Sequence, residues 1–272
     1  MERKLFVAEP RRTPAPDGDA RAAGNPVTQL RVKLFADGAD KAAMLDMYAN
    51  PLIQGFTTNP TLMRKAGISD YRAFAWDILS AIRDRPISFE VFADEFPEME
   101  RQAHLISAWG NNVYVKIPVT NTQGESSCSL IERLSQAGVK LNVTALLTLK
   151  QVRDVRDALE GGPPSCISVF AGRVADTGRD PIPMMAAAIE LLRPHRQMEL
   201  IWASPRELLN VFQADALGCH IITAPADILK KLPAIGTKSA AELSLDAVKA
   251  FRADAVAAGL ALKLAPPADA AA

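Results

Sequence analysis

The sequence predicts an α/β fold, a single (β/α)8 barrel. Three observations support this fold class: eight short segments rich in β-branched and aromatic residues, helical patterns between them, and about 230 residues for the repeating part, a usual length for such a barrel. Strands that alternate with helices pair in parallel. A doubly wound open sheet is the alternative, but no glycine-rich turn follows the first strand to support it.

The candidate strands are four to eight residues of mainly apolar character bounded by turn residues. In chain order they are "RVKLFA" (31–36), "IQGFTT" (53–58), "ISFEVFA" (87–93), "NVYVKIPV" (112–119), "VKLNVTAL" (139–146), "CISVFAG" (166–172), "ELIWAS" (199–204) and "CHIITAP" (219–225).

The segments between the strands carry helix signals. Residues 69–83 place apolar side chains on one stripe, and Ser69 is the predicted N-cap. A second helix starts with Asp180 before Pro181 at its first position and stops at Pro194.

Two further helix starts fit the capping-box pattern, in which a hydroxyl residue is followed three positions later by Glu or Gln. They are Thr148 with Gln151 and Ser204 with Glu207.

The two ends of the chain differ from its middle. Residues 8–27 are rich in Pro, Gly, Ala and charge without an apolar period, and the last residues, "LAPPADAAA", have the same character. We therefore expect a disordered N-terminal arm (1–30), one barrel domain (31–263) and a disordered tail (264–272).

Composition argues against several classes of partner and site. The chain has 31 basic and 31 acidic side chains, so no global field attracts nucleic acid or an anionic membrane. Its three cysteines lack a CxxC spacing and its three histidines are scattered, which argues against a disulfide framework and a histidine-based metal site. No run reaches transmembrane length. We expect a cytoplasmic protein.

A barrel of this type places its active site where the strands end at the C-terminal face. Polar residues stand at seven successive strand ends, as a ring around one cavity would require. They are Asp37; Thr58 and Asn59; Glu90; Lys116; Asn142 and Thr144; Ser168 and Arg173; and Ser204.

Lys116 is the most informative of these residues, because it interrupts an otherwise apolar strand. It shares a face with Tyr114 and Pro118, while Val113, Val115 and Ile117 point the other way. A buried lysine amine loses its proton more readily than an exposed one, and the neutral amine can attack a ketone to form a Schiff base. The alternative is a lysine that reaches solvent or pairs with Glu90.

Most of the other residues also have a structural interpretation. Asp37 before Gly38 fits a turn or a helix cap, and Asn59 before Pro60 is a common helix-entry dipeptide. Thr144 fits a strand through its branched Cβ. Arg173 could pair with Asp176, and Ser204 could be only an N-cap, although a helix N-terminus at a barrel mouth also binds anions. Glu90 is harder to explain structurally, since a lone buried carboxylate is costly.

Six segments in order carry a resemblance to a known family: "FADGAD", "GFTTNPTLM", "FEVFAD", "VYVKIPV", "LNVTALLT" and "SVFAGRVADTG". Over residues 31–262 the chain resembles the transaldolase family, which includes the smaller fructose-6-phosphate aldolases. The resemblance implies a class I aldolase barrel with its Schiff-base lysine at Lys116, acting on sugar phosphates without a metal or organic cofactor. Small members form rings, so the resemblance also implies a homo-oligomer.

The resemblance assigns roles by position. Lys116 would bind the carbonyl carbon of a ketose phosphate, and Asp37 would be the general acid/base. Glu90 and Thr144 would hold a water that shuttles protons. Asn59 and Asn142 would bind the hydroxyls of the dihydroxyacetone unit, and Ser168 and Arg173 the phosphate.

Two positions bear on the activity, and one departs from the family. Members that only cleave fructose 6-phosphate tend to carry tyrosine at the position of Phe170 and glutamine at that of Glu90, so the resemblance favours a transaldolase. The family usually has Ser-Phe-Arg after the seventh strand, whereas this chain reads "WASPRELL", and Arg206 either replaces that arginine or faces away. The alternatives are an aldolase that releases free dihydroxyacetone and a non-catalytic barrel that serves binding or assembly.

Overall fold

Eight parallel strands close into a barrel in the computed structural model, which describes residues 26–262. The strands are Lys33–Asp37 (β1), Ile53–Thr57 (β2), Ile87–Glu90 (β3), Val113–Pro118 (β4), Leu141–Leu146 (β5), Ser165–Val169 (β6), Met198–Trp202 (β7) and Ile221–Pro225 (β8). Each strand pairs with the next, and β8 pairs with β1. All eight predicted strands are present, and the predicted (β/α)8 barrel is confirmed.

Helices separate the strands along the chain. They are Lys41–Ala49 (α1), Pro60–Lys65 (α2), Tyr71–Ala81 (α3), Phe96–Ser107 (α4), Cys128–Gln136 (α5), Leu149–Leu159 (α6), Ala171–Ala175 (α7), Ile182–Leu192 (α8), Leu209–Leu217 (α9), Ala226–Leu229 (α10) and Ala240–Ala257 (α11). None of the helices in residues 26–262 is long and apolar enough to cross a membrane.

Alternation along each strand separates the barrel interior from the helix-facing side. On β4, Val113, Val115 and Ile117 are buried on one side, whereas Lys116 on the opposite side lines the central cavity. The apolar half of the strand therefore stabilises the fold, and the other half supplies the site.

The floor of the barrel is closed by a large side chain. Phe35 on β1 packs with buried residues of β6, β7 and β8. Its ring lies over Gly55 on β2, where a Cβ would come within 2.4 Å of the ring. Any side chain at this position would have to displace the Phe35 ring, so the packing favours glycine.

The ladder between strands is uneven around the barrel. The β2–β3 and β7–β8 contacts each have two register pairs, whereas the other six have three to five. The strands carrying the ring of polar residues are thus held together more firmly on some sides than on others.

One capping box is confirmed and three helix starts differ from prediction. The Thr148 and Gln151 side chains each bond the other's backbone at the start of α6. The N-cap of α3 is Asp70 rather than Ser69, because the Asp70 carboxylate accepts from the Ala73 N–H at 2.9 Å. Helix α8 begins at Ile182, so Pro181 is its cap instead of its first residue.

The capping box predicted at Ser204 is also wrong. Ser204 has a left-handed φ of 60°, and α9 begins five residues later. The Asn210 side chain accepts from the N–H groups of Arg206 and Glu207 instead. Asn210, which lies within α9, therefore accepts the backbone hydrogen bonds that the pattern predicted for Ser204.

The chain divides into two compact units. One spans Gln29–Leu232 and contains all eight strands. The other includes the described residues 26–28 and 233–262, with α11. The predicted domain, 31–263, starts two residues inside the barrel unit and extends beyond its end. Of the predicted arm, Pro26–Gln29 forms a 3-10 helix. Its first 25 residues and the predicted tail lie outside the described residues.

Candidate active site

A cavity of about 420 Å³ opens at the C-terminal ends of the strands. Nine of the eleven predicted site residues line it: Asp37, Asn59, Glu90, Lys116, Thr144, Ser168, Phe170, Arg173 and Ser204. The two that do not are Thr58 and Asn142. The ring of polar residues expected from the strand ends is therefore largely present around one space.

Lys116 lines this cavity and is almost fully buried. It is 7% exposed, and its Nζ donates to the Thr58 carbonyl at 3.1 Å. The same nitrogen lies 3.3 Å from Glu90 Oε2. The snorkelling alternative is wrong, whereas the pairing with Glu90 is present. The pairing leaves the amine at the cavity wall, where it can meet a ligand.

Glu90 is buried beside Lys116 on the neighbouring strand. Burial raises the pKa of its carboxyl, and the Lys116 ammonium opposes that rise. The Tyr71 hydroxyl donates to the Glu90 carbonyl at 2.9 Å and fixes the end of β3. A carboxyl with a raised pKa next to an amine is suited to exchanging protons with a bound water.

Asp37 lines the same cavity from the end of β1. Burial raises the pKa of its carboxyl, while Lys116 and the Thr57 hydroxyl lower it. The cap interpretation is wrong for this residue, since α1 is capped by Asp40. Asp37 therefore has no capping role at the start of α1, and its carboxyl faces the cavity.

Two threonines that the sequence analysis did not select hold Asp37 in place. The Thr57 hydroxyl donates to Asp37 Oδ1 at 2.8 Å, and the Thr57 and Thr223 hydroxyl oxygens lie 2.5 Å apart. Both line the cavity. Strand alternation could have identified Thr57, because it shares its parity with Gly55, whose face looks into the barrel.

Thr58 and Asn142 are buried away from the cavity. The Thr58 hydroxyl donates to the Ser88 carbonyl at 2.8 Å. The Asn142 amide donates to Ser88 Oγ at 2.9 Å, and its Oδ1 accepts from Ser168 at 2.7 Å. Both side chains are hydrogen-bonded within the protein, and their predicted contacts with substrate stay predictions.

Thr144 points into the cavity from a distorted part of β5. The register with β6 shifts between Val143 and Leu146, and Ala145 has a left-handed φ of 66°. Thr144 Oγ1 is buried and has no hydrogen-bond partner among the described residues. An unsatisfied buried hydroxyl at a cavity wall is suited to holding a water or a ligand hydroxyl.

Asn59 combines both interpretations offered by the sequence. It caps α2, because its Oδ1 accepts from the Leu62 N–H at 3.0 Å, and Pro60 follows at the first helical position. It also lines the cavity. With Oδ1 engaged in the cap, the Nδ2 amide is the group left to donate to a ligand.

The far side of the cavity carries its second cation. The Arg173 guanidinium lies over the Phe170 ring, 4.9 Å from its centroid, and both side chains line the cavity with Ser168 and Ser204. The predicted alternative, an Arg173–Asp176 pair, is wrong, because Asp176 pairs with Arg206. An arginine beside two hydroxyls is suited to an anion such as phosphate.

The arrangement separates an amine and two carboxyls on one side from a cation on the other. This suits a ligand with a reactive carbonyl near Lys116 and an anionic end near Arg173. Residues 26–262 contain no group of three or more His, Cys, Asp or Glu side chains placed to hold a metal ion.

Comparison with known proteins gives consistent matches. The family model described as transaldolase/fructose-6-phosphate aldolase matches residues 34–263. A probable transaldolase from Dehalococcoides mccartyi is 31% identical over 202 residues, which cover 74% of this chain and 90% of that protein. One from Streptococcus pyogenes is 34% identical, with the same coverage. One from Methanococcus maripaludis is 32% identical, covering 74% of this chain and 89% of its own length.

Solved structures add support for the fold alone. The chain aligns with 3-hexulose-6-phosphate synthase from Salmonella typhimurium with a TM-score of 0.51 and 16% identity, over 76% of this chain and 97% of the other. It aligns with KGPDC from Streptococcus mutans with a TM-score of 0.52 and 12% identity, over 77% and 98% of the two chains.

Proposed function

Because the chain belongs to the transaldolase/fructose-6-phosphate aldolase family, we propose that it is a transaldolase that moves a dihydroxyacetone unit between sugar phosphates. The donor would be fructose 6-phosphate or sedoheptulose 7-phosphate, and the acceptor an aldose phosphate. The observation that carries the proposal is the Lys116 amine, buried 3.3 Å from Glu90, in one cavity with Asp37.

The first half of the reaction follows from these side chains. The Lys116 amine attacks the C2 carbonyl of the donor, and loss of water gives a protonated imine. Glu90 and Thr144 hold the water that carries protons in this dehydration. Asp37 then takes the proton of the C4 hydroxyl, and the electrons of the C3–C4 bond move into the imine as the aldose phosphate leaves.

The second half reverses these steps with a new aldehyde. The enamine on Lys116 attacks the acceptor carbonyl, Asp37 returns its proton to the new hydroxyl, and hydrolysis releases the product ketose. In this proposal Asn59 holds a hydroxyl of the bound three-carbon unit, and Arg173 binds the phosphate of donor or acceptor. Phe170 brings no hydroxyl to the cavity, so it offers no acid to protonate the enamine before the acceptor arrives.

Borohydride trapping tests the Schiff base. Incubation with fructose 6-phosphate and borohydride should add a reduced dihydroxyacetone unit to the intact mass, and peptide mapping should locate it on Lys116. Lys116→Met should lose the adduct. The matched control is Lys33→Met, since Lys33 is also paired with a glutamate, Glu199, at 2.7 Å but lies outside the cavity. An adduct that persists in Lys116→Met would remove the assignment.

Acceptor dependence separates a transaldolase from the aldolase alternative. With fructose 6-phosphate alone, a transaldolase should release little free dihydroxyacetone, and addition of erythrose 4-phosphate should give sedoheptulose 7-phosphate. Rapid release of dihydroxyacetone without an acceptor would identify an aldolase. Absence of an adduct with both fructose 6-phosphate and sedoheptulose 7-phosphate would mean an unusual donor or the non-catalytic barrel, and the substrate assignment would be withdrawn.

A further inference from the structure

Arg206 follows β7 but does not line the central cavity. Its Nε donates to Asp176 Oδ1 at 2.8 Å and its Nη2 to Oδ2 at 2.6 Å. Its Nη1 donates to Ser204 Oγ at 3.1 Å. A two-point contact between guanidinium and carboxylate fixes the orientation of both groups. All three nitrogens of Arg206 are therefore engaged within the protein.

This ion pair joins the two segments that form the anion end of the cavity. Asp176 is the C-cap of α7, the short helix that carries Arg173. Its partner, Arg206, belongs to the segment that follows Ser204. The two segments also meet at Gly172, where a Cβ would lie 1.7 Å from the Ser204 carbonyl oxygen. The contact is too close for any other residue at position 172.

The charges explain what the pair accomplishes. Lys116 and Arg173 are the cationic side chains among the described lining residues, and Lys116 is paired with Glu90. Arg206 lowers the pKa of Asp176 mainly through its hydrogen bonds, and Arg173 contributes from further away. If Arg206 were absent, the Asp176 carboxylate would compete with a ligand for Arg173.

We propose that Asp176 and Arg206 are a positioning pair for phosphate recognition. Arg206 neutralises Asp176, so Arg173 stays directed into the cavity for the ligand. Because Arg206 is withheld from the cavity, the site recognises one terminal phosphate through a single guanidinium. The nature of the ligand rests on the proposed function, whereas the pairing itself does not.

Binding of glucitol 6-phosphate by calorimetry tests this proposal, since this ligand carries the phosphate but no carbonyl. Arg206→Gln leaves Asp176 uncompensated and should weaken binding about tenfold, the scale of one charge-assisted hydrogen bond. The double variant Asp176→Asn with Arg206→Gln removes the competing carboxylate and should recover most of the affinity. A merely structural contact would make the double variant as weak as the single one or weaker.

Kinetics give the second readout. In Arg206→Gln the KM for fructose 6-phosphate should rise about tenfold while kcat changes less than about twofold. The KM for unphosphorylated fructose should stay unchanged. The matched control is Arg133→Gln, because Arg133 makes the same two-point contact with Glu100 between α5 and α4, outside the cavity.

Several results would contradict the proposed role of Asp176 and Arg206. They are an unchanged affinity in Arg206→Gln, a double variant that recovers nothing, an equal loss for glucitol and glucitol 6-phosphate, or a wild-type protein that does not bind glucitol 6-phosphate. Failure of the proposed function looks different. In that case the wild-type protein binds glucitol 6-phosphate and Arg206→Gln lowers that affinity, but no borohydride adduct forms.

Discussion

The Thr57 hydroxyl donates a 2.8 Å hydrogen bond to Asp37 Oδ1, and its only proton is thereby used. The 2.5 Å contact between Thr57 and Thr223 must then be a donation from Thr223. With Asp37 ionised, the direction of both hydrogen bonds is fixed. The two hydroxyls thus hold Oδ1 and leave Oδ2 outside these hydrogen bonds, as the proposed proton transfer from a ligand requires.

Thr57→Val should move the acid limb of the kcat/KM–pH profile to higher pH. The Thr57 hydrogen bond lowers the pKa of Asp37, so its loss raises that pKa further. Asp37 must be ionised to accept the hydroxyl proton, and cleavage at neutral pH should fall about tenfold. Thr58→Val is the control, because it removes the adjacent hydroxyl, which bonds the Ser88 carbonyl. An acid limb that stays in place in Thr57→Val would contradict the role of Thr57.

Asp37→Asn should abolish cleavage yet stabilise the protein at neutral pH. Burial outweighs Lys116 and Thr57, so the folded-state pKa of Asp37 lies above its unfolded value. The folded state then binds more protons, and wild-type stability falls as pH rises through the raised pKa. The Tm advantage of Asp37→Asn should therefore be absent in acid and grow toward neutral pH. Thermal unfolding of both proteins across that range measures it, and a constant difference would contradict it.

Thr144→Val should separate activity from stability. Thr144 Oγ1 is buried without a hydrogen-bond partner among the described residues, so replacing it with a methyl group breaks no contact there. The free energy of unfolding should change by less than about 0.5 kcal/mol or rise. If the hydroxyl holds the proton-carrying water, imine formation should slow about tenfold or more. Denaturant unfolding and single-turnover trapping measure the two effects, and an unchanged trapping rate would exclude this use of Thr144.

Phe170→Tyr should increase the release of free dihydroxyacetone. The ring lines the cavity beneath the Arg173 guanidinium, and a phenolic hydroxyl there would bring an acid toward the enamine. Dihydroxyacetone formed from fructose 6-phosphate without an acceptor should rise relative to transfer. Phe170→Leu controls for loss of the ring. Unchanged partitioning in Phe170→Tyr would mean that this position does not decide the fate of the enamine.

Gly55→Ala should destabilise the barrel because the new Cβ would lie 2.4 Å from the Phe35 ring. Overpacking of this kind costs about 1–3 kcal/mol, and Phe35→Leu in the same chain should restore part of the loss. Gly38→Ala is the matched control, since no atom lies within 4 Å of a Cβ at that position. Chemical denaturation gives the free energies of unfolding, and equal values for the two alanine variants would argue against the packing of Phe35 over Gly55.

The fold and most of the cavity could be predicted from the sequence because they depend on local periodicity. Alternation placed Lys116 on the interior face, and strand ends placed Asp37 and Glu90 near it. The predicted site included Thr58 and omitted Thr57, and the two lie at a strand boundary: β2 ends at Thr57, which faces the cavity, while Thr58 continues into a buried contact with Ser88. One residue of displacement reverses the face.

The errors after β7 have a different cause, since they depend on contacts distant in the chain. The pattern Ser204 to Glu207 fits a capping box, but the packing of Ser204 against Gly172 and its left-handed backbone exclude it. The partner of Arg206 is 30 residues away at Asp176. No local pattern indicates a pair at that separation, so the partner of Arg206 could be identified only from the structure.

The two strand contacts with the fewest register pairs divide the barrel into two parts. They lie at β2–β3 and β7–β8, and they divide the closed sheet into an arc of three strands and an arc of five. The smaller arc carries Asp37, Thr57 and Thr223. The larger arc carries Lys116, Glu90 and Thr144. Relative motion of the two arcs at these contacts would change the distance between the Asp37 carboxyl and the Lys116 amine, while the residues within each arc move together. We expect amide hydrogen exchange to be fastest at these two contacts, and the distance between Asp37 and Lys116 to vary more than the distances within each group.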